Sequence, residues 1–423
     1  MRRKNWFALI ALLLIAVPAA GSLSVLTLPS GLTAIRAGAF AGDGLLTDVV
    51  VRGSQFLVEA GAFDGCDSLS ALHVLSGDGD TLAGFLEEVP SVRYVAAPGG
   101  SAAYESALGD GTLTDIRRSD RRPRALVIYQ TYRNTGELKT LTGPTNDAAA
   151  VYRMLKQWGF DVRKYGAWTA AEMSAQIRAM GASSEDGDIT FIYFSGHGRP
   201  NGSLMGSDGA ELTLAELTDA VATIRGRRII AVDACYSGRL IDDGEEAAGG
   251  ALTLSVRKAA AVQKTEEDIV ADDPEAFPEQ FTSNFLAGFM PSVQKSGPRR
   301  APTQLARDDG NYVMAAARYD QESWEAVLSK TVDGETFSKQ MGFFTYYLCS
   351  GLGWDGVADR EKAEASDADK DGRISFNEAF EYARNQVAND PSLKQKGLVQ
   401  SAQASPAEEE GFTPFWRLPY TIE

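Results

Sequence analysis

Two periodicities divide the chain. Between residues 37 and 74 the apolar positions recur at an interval of 23, so that Phe40 maps onto Phe63, Leu46 onto Leu69 and Val51 onto Val74. A fainter third copy puts Val92 and Val95 23 residues after Leu69 and Leu72. Periods of about 20 to 29 residues belong to stacked repeats, in which each unit supplies one short strand and neighbours bury a shared apolar row. On this reading residues 23–105 form a repeat module, and Cys66 and His73 are repeat positions.

From Arg124 onward the spacing changes. "ALVIY" (125–129) is a compact apolar strand, and after Asn146 and Asp147 the positions Val151, Met154, Leu155 and Trp158 mark one helical face. "FDVRKY" (160–165) gives a second strand. Thr169 with Glu172 forms a capping box ahead of a helix carrying Met173, Ile177 and Met180. "DITFIYF" (188–194) reads as a third strand; Thr213 with Glu216 caps a helix with Leu214, Leu217, Val221 and Ile224, and "RRIIAV" (227–232) is a fourth strand. "YVMAAA" (312–317) adds a late strand, with an apolar helix at "GFFTYYLC". Strands separated by single helices predict an α/β domain with a mainly parallel sheet flanked by helices.

Between the two patterns, "DIRRSDRRPR" (115–124) holds five arginines and a proline and is expected to be an exposed linker, so that 106–123 separates the repeats from a domain at 124–423. At the N-terminus, residues 1–22 join Arg2, Arg3 and Lys4 to an apolar core and then small residues, the order of a secretory signal. The apolar stretch is short against the roughly 20 residues of a spanning helix, so a cleaved signal is favoured over a retained anchor. The protein is expected outside the cell or on its surface.

Charge narrows the partners. A net charge of −16 excludes a nucleic-acid binder, which needs clustered Lys and Arg, and favours cationic partners such as basic peptides or metal ions. The three cysteines, Cys66, Cys235 and Cys349, imply no disulfide framework, and two histidines without a C-x-x-C pair imply no zinc site.

The chemistry concentrates where the third and fourth strands end, in "FSGHG" and "VDACYSG". Ligands of open α/β sheets bind beyond the carboxyl ends of the strands. His197 and Cys235 emerge at that edge, each in a turn of small residues, which is the placement a thiol nucleophile and its proton acceptor need. Gly196 and Gly198 let backbone pack closely and present N–H groups to an oxyanion.

"YFSGHG" and "DACYSG" resemble the paired motifs of caspase-like cysteine peptidases, metacaspases and their bacterial relatives more than animal caspases, with similarity over about residues 122–420. The resemblance implies peptide hydrolysis through an acyl-enzyme on Cys235, with His197 as acid and base and the N–H groups of Gly198 and Cys235 as oxyanion hole. It also implies cleavage after Arg or Lys, because Asp233 stands where metacaspases have aspartate and animal caspases glutamine; Ser195 matches a further pocket position. No cofactor is expected for the chemistry. In "GAFDGCDSL" the repeats resemble leucine-rich repeats of bacterial surface proteins, whose ligand here is unknown. Residues 239–309 depart from the family as a long insertion with acidic runs, and Arg299 and Arg300 within it, like the arginine linker, are expected self-cleavage sites.

A last motif is independent of the thiol. "DADKDGRISFNE" (367–378) matches a calcium-binding EF-hand loop, with Asp367, Asp369, Asp371, the Arg373 carbonyl and Glu378 as oxygen ligands. Its entering helix is weak and the sequence offers no second loop to pair with it. Two other functions stay open: a legumain-like peptidase or transpeptidase, against which Asp233 speaks, and a surface binding protein that uses a peptidase fold as scaffold.

Overall fold

The computed structural model describes residues 24–32, 34–52, 57–75, 85–98, 113–133, 135, 138–246, 270–271, 300–407 and 412–422. The signal segment 1–22, most of the insertion and Arg299 lie outside them, and no described helix is long and apolar enough to cross a membrane. The chain divides at Val92 into two compact units.

In the first unit, strands β1 (Val25–Leu28), β2 (Asp48–Val51) and β3 (Ala71–Val74) pair in parallel, Val25 opposite Asp48 and Asp48 opposite Ala71. The 23-residue interval of the sequence is therefore the register of this sheet. Equivalent side chains stack: the Phe40 and Phe63 rings lie 5.2 Å apart, and Leu46 and Leu69 are buried. Cys66 and His73 sit inside the same stack, the thiol donating to the Phe40 carbonyl at 3.1 Å and the imidazole 2.7 Å from Asp48.

The second unit opens with a parallel pair, β4 (Tyr94–Ala97) and β5 (Asp115–Arg118). This corrects the expectation of an exposed arginine linker. Arg117 is 3% exposed, donates to the Trp416 carbonyl at 2.8 Å, and burial pushes its guanidinium down to about 10. Arg118 pairs with Asp120 and Glu185, and Arg121 and Arg124 both reach Asp188. Charge pairing and stacking, which composition does not show, turn a solvated-looking run into an edge of the domain.

The central sheet follows the predicted alternation. Strands β6 (Arg124–Tyr129), β7 (Asp161–Gly166), β8 (Ile189–Ser195), β9 (Arg227–Asp233) and β10 (Asn311–Ala315) are parallel, and β13 (Gln403–Ser405) closes one edge antiparallel. The order is β13-β10-β9-β8-β6-β7. Alternate residues feed two cores. Val127, Tyr193 and Ala231 face helices α1 (Gly143–Gln157), α4 (Phe343–Gly351) and α5 (Phe376–Asn389); Ile128, Phe194 and Val232 face α2 (Ala170–Ala182) and α3 (Leu214–Val221). Both threonine capping boxes form as read. Burial on both faces explains why β6, β8, β9 and β10 are largely apolar runs rather than half-polar ones, unlike the edge strands β7 and β13.

An element absent from the sequence reading lies beside the sheet: the antiparallel hairpin of β11 (Glu325–Val332) and β12 (Glu335–Gly342), turned at Asp333 and Gly334, both with positive φ. Aspartate and glycine between alternating strands suit a tight hairpin turn.

Candidate active site

The register of β8 on β9 puts Ser195 opposite Asp233, and the Gly196 N–H extends the ladder to the Asp233 carbonyl at 3.3 Å. His197 and Cys235 each stand two residues past that rung, on strands about 4.8 Å apart. The loops stay together beyond it. A Cβ at Gly198 would fall 2.1 Å from the Cys235 carbonyl oxygen and 3.2 Å from Ala234 Cβ. Glycine is therefore what lets the histidine loop lie against the cysteine loop. Gly198→Ala is expected to lower kcat/KM for the peptide hydrolysis that the sequence resemblance implies by about 100-fold or more, since a shift of about 1 Å at a reacting group costs that much. Melting curves beside the kinetics separate this from global unfolding; an active Gly198→Ala enzyme would show that the loops need not touch.

Three contacts orient His197. Its backbone N–H donates to the Tyr132 hydroxyl at 2.9 Å, that hydroxyl donates to the Met205 carbonyl at 2.9 Å, and the two rings lie 4.6 Å apart. Burial pushes the Tyr132 phenol up, so it remains a protonated donor. Tyr132 has φ 57°, a left-handed conformation that a bulky residue adopts only when its surroundings hold it there. The third contact is Nε2 to the Lys139 carbonyl at 2.8 Å. A carbonyl can only accept, so Nε2 carries the proton and the lone pair of the neutral ring is on Nδ1.

Cys235 is half-buried, with Sγ 3.8 Å from the Ser323 carbonyl. The next residue, Tyr236, has φ 60°, and a 3-10 turn, Ser237–Leu240, follows. That turn is pinned to the end of β10: Gly238 N–H donates to the Ala317 carbonyl at 2.8 Å, and the Ser237 hydroxyl accepts from Ala317 N–H at 3.1 Å. The thiol is thus presented at a sharp, fixed exit from its strand.

Behind the thiol lies a buried pair of carboxylates. Asp233, 6% exposed, accepts from the Ser323 hydroxyl at 2.6 Å and from the Thr345 hydroxyl and N–H at 2.6 and 3.1 Å. Asp147, 2% exposed on α1, accepts from the Ser195 hydroxyl and the Gly342 N–H, each at 2.9 Å. A Cβ at Gly342 would meet Asp233 Oδ2 at 2.3 Å, so one glycine separates the two acids. Glu325 stands opposite Gly342 in the hairpin and brings a third carboxylate near. Burial first, and then the charge of Asp233, hold Asp147 well above the usual carboxylate range. The same two acids add to burial in raising the Cys349 thiol.

The predicted residues His197, Gly198, Cys235, Ser195 and Asp233 are thus brought together at one sheet edge. Asp147 was not among them, although a signal existed: it falls on the apolar stripe of α1, four residues before Val151 and seven before Met154.

The acidic loop is a separate site. Carboxylate oxygens of Asp367, Asp369 and Asp371 lie within 4.8 Å of one another. Glu378 accepts from Ala368 N–H at 3.0 Å and from Ser375 N–H at 2.8 Å, tying the head of the loop to the first turn of α5. Ile374 forms an antiparallel bridge with Phe415 of the C-terminal segment.

A family model described as the caspase domain matches residues 122–406. No curated protein matches the chain. Among solved structures, caspase-1 from Spodoptera frugiperda is similar at 14% identity, with a TM-score of 0.40, covering 71% of this chain and 93% of that one.

Proposed function

The chain belongs to the caspase domain family of cysteine peptidases, and from that premise we propose that it is an exported endopeptidase cleaving after Arg or Lys through a Cys235/His197 dyad. The shared rung beneath His197 and Cys235 carries this reading. His197 takes the thiol proton, the thiolate attacks the scissile carbonyl, and the imidazolium returns the proton to the leaving amine. Water, deprotonated by the same ring, then hydrolyses the thioester. Gly198 and Cys235 N–H groups are the proposed oxyanion donors, on the strength of the close approach of their backbones.

Asp233, Asp147 and Ser195 supply the proposed pocket for the basic side chain. Two carboxylates with one glycine between them suit a guanidinium, whose planar fork can donate to both, better than an ammonium. A peptide panel ending in Arg, Lys, Asp or Asn before the fluorophore tests this: Arg and Lys peptides should be cleaved, Arg fastest. Preferential cleavage after Asn would replace the reading with a legumain-like one, and inertness toward every peptide would favour a binding scaffold.

Self-processing is proposed at Arg299 and Arg300 only, because the folded 117–124 segment holds Arg117 in buried stacking and Arg118, Arg121 and Arg124 in ion pairs. For the first unit we propose leucine-rich repeats that bind an unidentified ligand, supported by the 23-residue register.

Loop 367–378 fits calcium. Asp367 Oδ1 is a buried acceptor with no hydrogen-bond donor among the described residues, beside two more carboxylates. Asp367, Asp369, Asp371, the Arg373 carbonyl and Glu378 would hold the ion, which when bound supplies positive charge that orders the loop. Ser375 and Glu378 already set the helix that carries the last ligand.

A further inference from the structure

The acidic loop is built into the second unit by contacts that peptide hydrolysis does not use. Tyr94, the first residue of β4, donates its hydroxyl to Asp371 Oδ2 at 3.0 Å, while Arg373 N–H donates to Asp371 Oδ1 at 2.7 Å. Both oxygens of the fifth-position carboxylate are thereby fixed, and each keeps a lone pair for a cation. The Arg373 guanidinium, one residue before the bridge at Ile374, lies 4.6 Å from the Tyr94 ring and 5.5 Å from the Trp416 ring. Arg117 of β5 lies 5.5 Å from the same Trp416 ring and donates to the Trp416 carbonyl.

We infer that Tyr94 is a positioning residue for the cation site, fixing the Asp371 carboxylate so that occupancy of loop 367–378 and seating of the β4–β5 pair on the C-terminal segment form one coupled equilibrium. The inference rests on the calcium reading above. Its physical basis is preorganisation: a hydrogen-bonded outer partner that orients a ligating carboxylate typically changes metal affinity by about 10- to 100-fold. Coupling is reciprocal, so calcium tightens the strand pair by the factor by which the strand pair tightens calcium.

The test is calorimetric titration of calcium chloride into the full chain and into Tyr94→Phe, which keeps the ring under Arg373 and removes only the hydroxyl. The dissociation constant should rise by about 10-fold or more. Hydrogen exchange at 94–97 and 412–416 should slow on adding calcium to the wild type, and slow less in the variant. Arg373→Leu, which retains the ligating carbonyl but loses the stacked guanidinium, should weaken calcium in the same direction and guards against a folding defect confined to one variant. Wild-type binding with unchanged affinity in Tyr94→Phe overturns the inference and leaves the calcium reading intact. Absence of binding to the wild type removes both.

Discussion

Cys235→Ala is expected to lose peptide hydrolysis by at least about 10⁴-fold, the scale on which covalent nucleophiles are missed. Stability should be unchanged within about 0.5 kcal/mol, because the thiol is half-buried and its approach to the Ser323 carbonyl, at 3.8 Å, is a long one. His197→Ala should lose nearly as much. The informative variant is the double one. Residues that act on one proton and one bond form a unit, so removing both should cost little more than removing either. Independent, multiplying losses in kcat for the two single variants would mean that His197 acts on something other than the thiol, and the hydrogen bond from Nε2 to Lys139 would then be merely structural.

How much of this was legible follows from where each signal lives. Strands buried on both faces announce themselves as apolar runs, and β6, β8 and β9 fall within a residue or two of their predicted spans. The pairing of His197 with Cys235 was legible because both follow strand ends, and adjacent parallel strands bring such ends together. The hairpin 325–342 was missed because its outer residues are polar and half-exposed, although Asp333-Gly334 between alternating positions marked the turn. The arginine segment misled for the opposite reason: the charges of Arg118, Arg121 and Arg124 are met by Asp120, Glu185 and Asp188, the last two more than sixty residues away from the arginines they hold. Asp147 belongs to the same class. Its place on an apolar stripe showed that it would be buried, but only the register of β8 on β9 and the return of the hairpin put Asp233 next to it.

That pair carries the second large effect. Asp233→Asn should cut kcat/KM for Arg peptides by roughly 30- to 5,000-fold, the equivalent of about 2 to 5 kcal/mol for truncating one partner of a buried charge pair. Asp147→Asn should weaken the same substrates and yet stabilise the free enzyme at neutral pH. The sign follows from the raised titration of Asp147. A carboxyl whose folded value lies above its unfolded value stabilises the fold fully only below the unfolded value, near 3.8, and loses that contribution as pH rises toward the folded one. Near neutrality the folded protein therefore carries either an ionised acid beside Asp233 or the work of keeping it protonated, and an amide removes both. Asparagine also keeps the local bonds, its oxygen accepting from Gly342 N–H and its nitrogen donating to Ser195 Oγ. Melting temperatures of Asp147→Asn and wild type should thus differ most near pH 7 and converge below about pH 4. A variant that melts lower at pH 7 would mean the two acids do not repel in the free enzyme. A gain in stability with a loss of Arg cleavage would instead identify the strain that a substrate guanidinium relieves on binding, which is how a pocket selects a cation it does not yet hold.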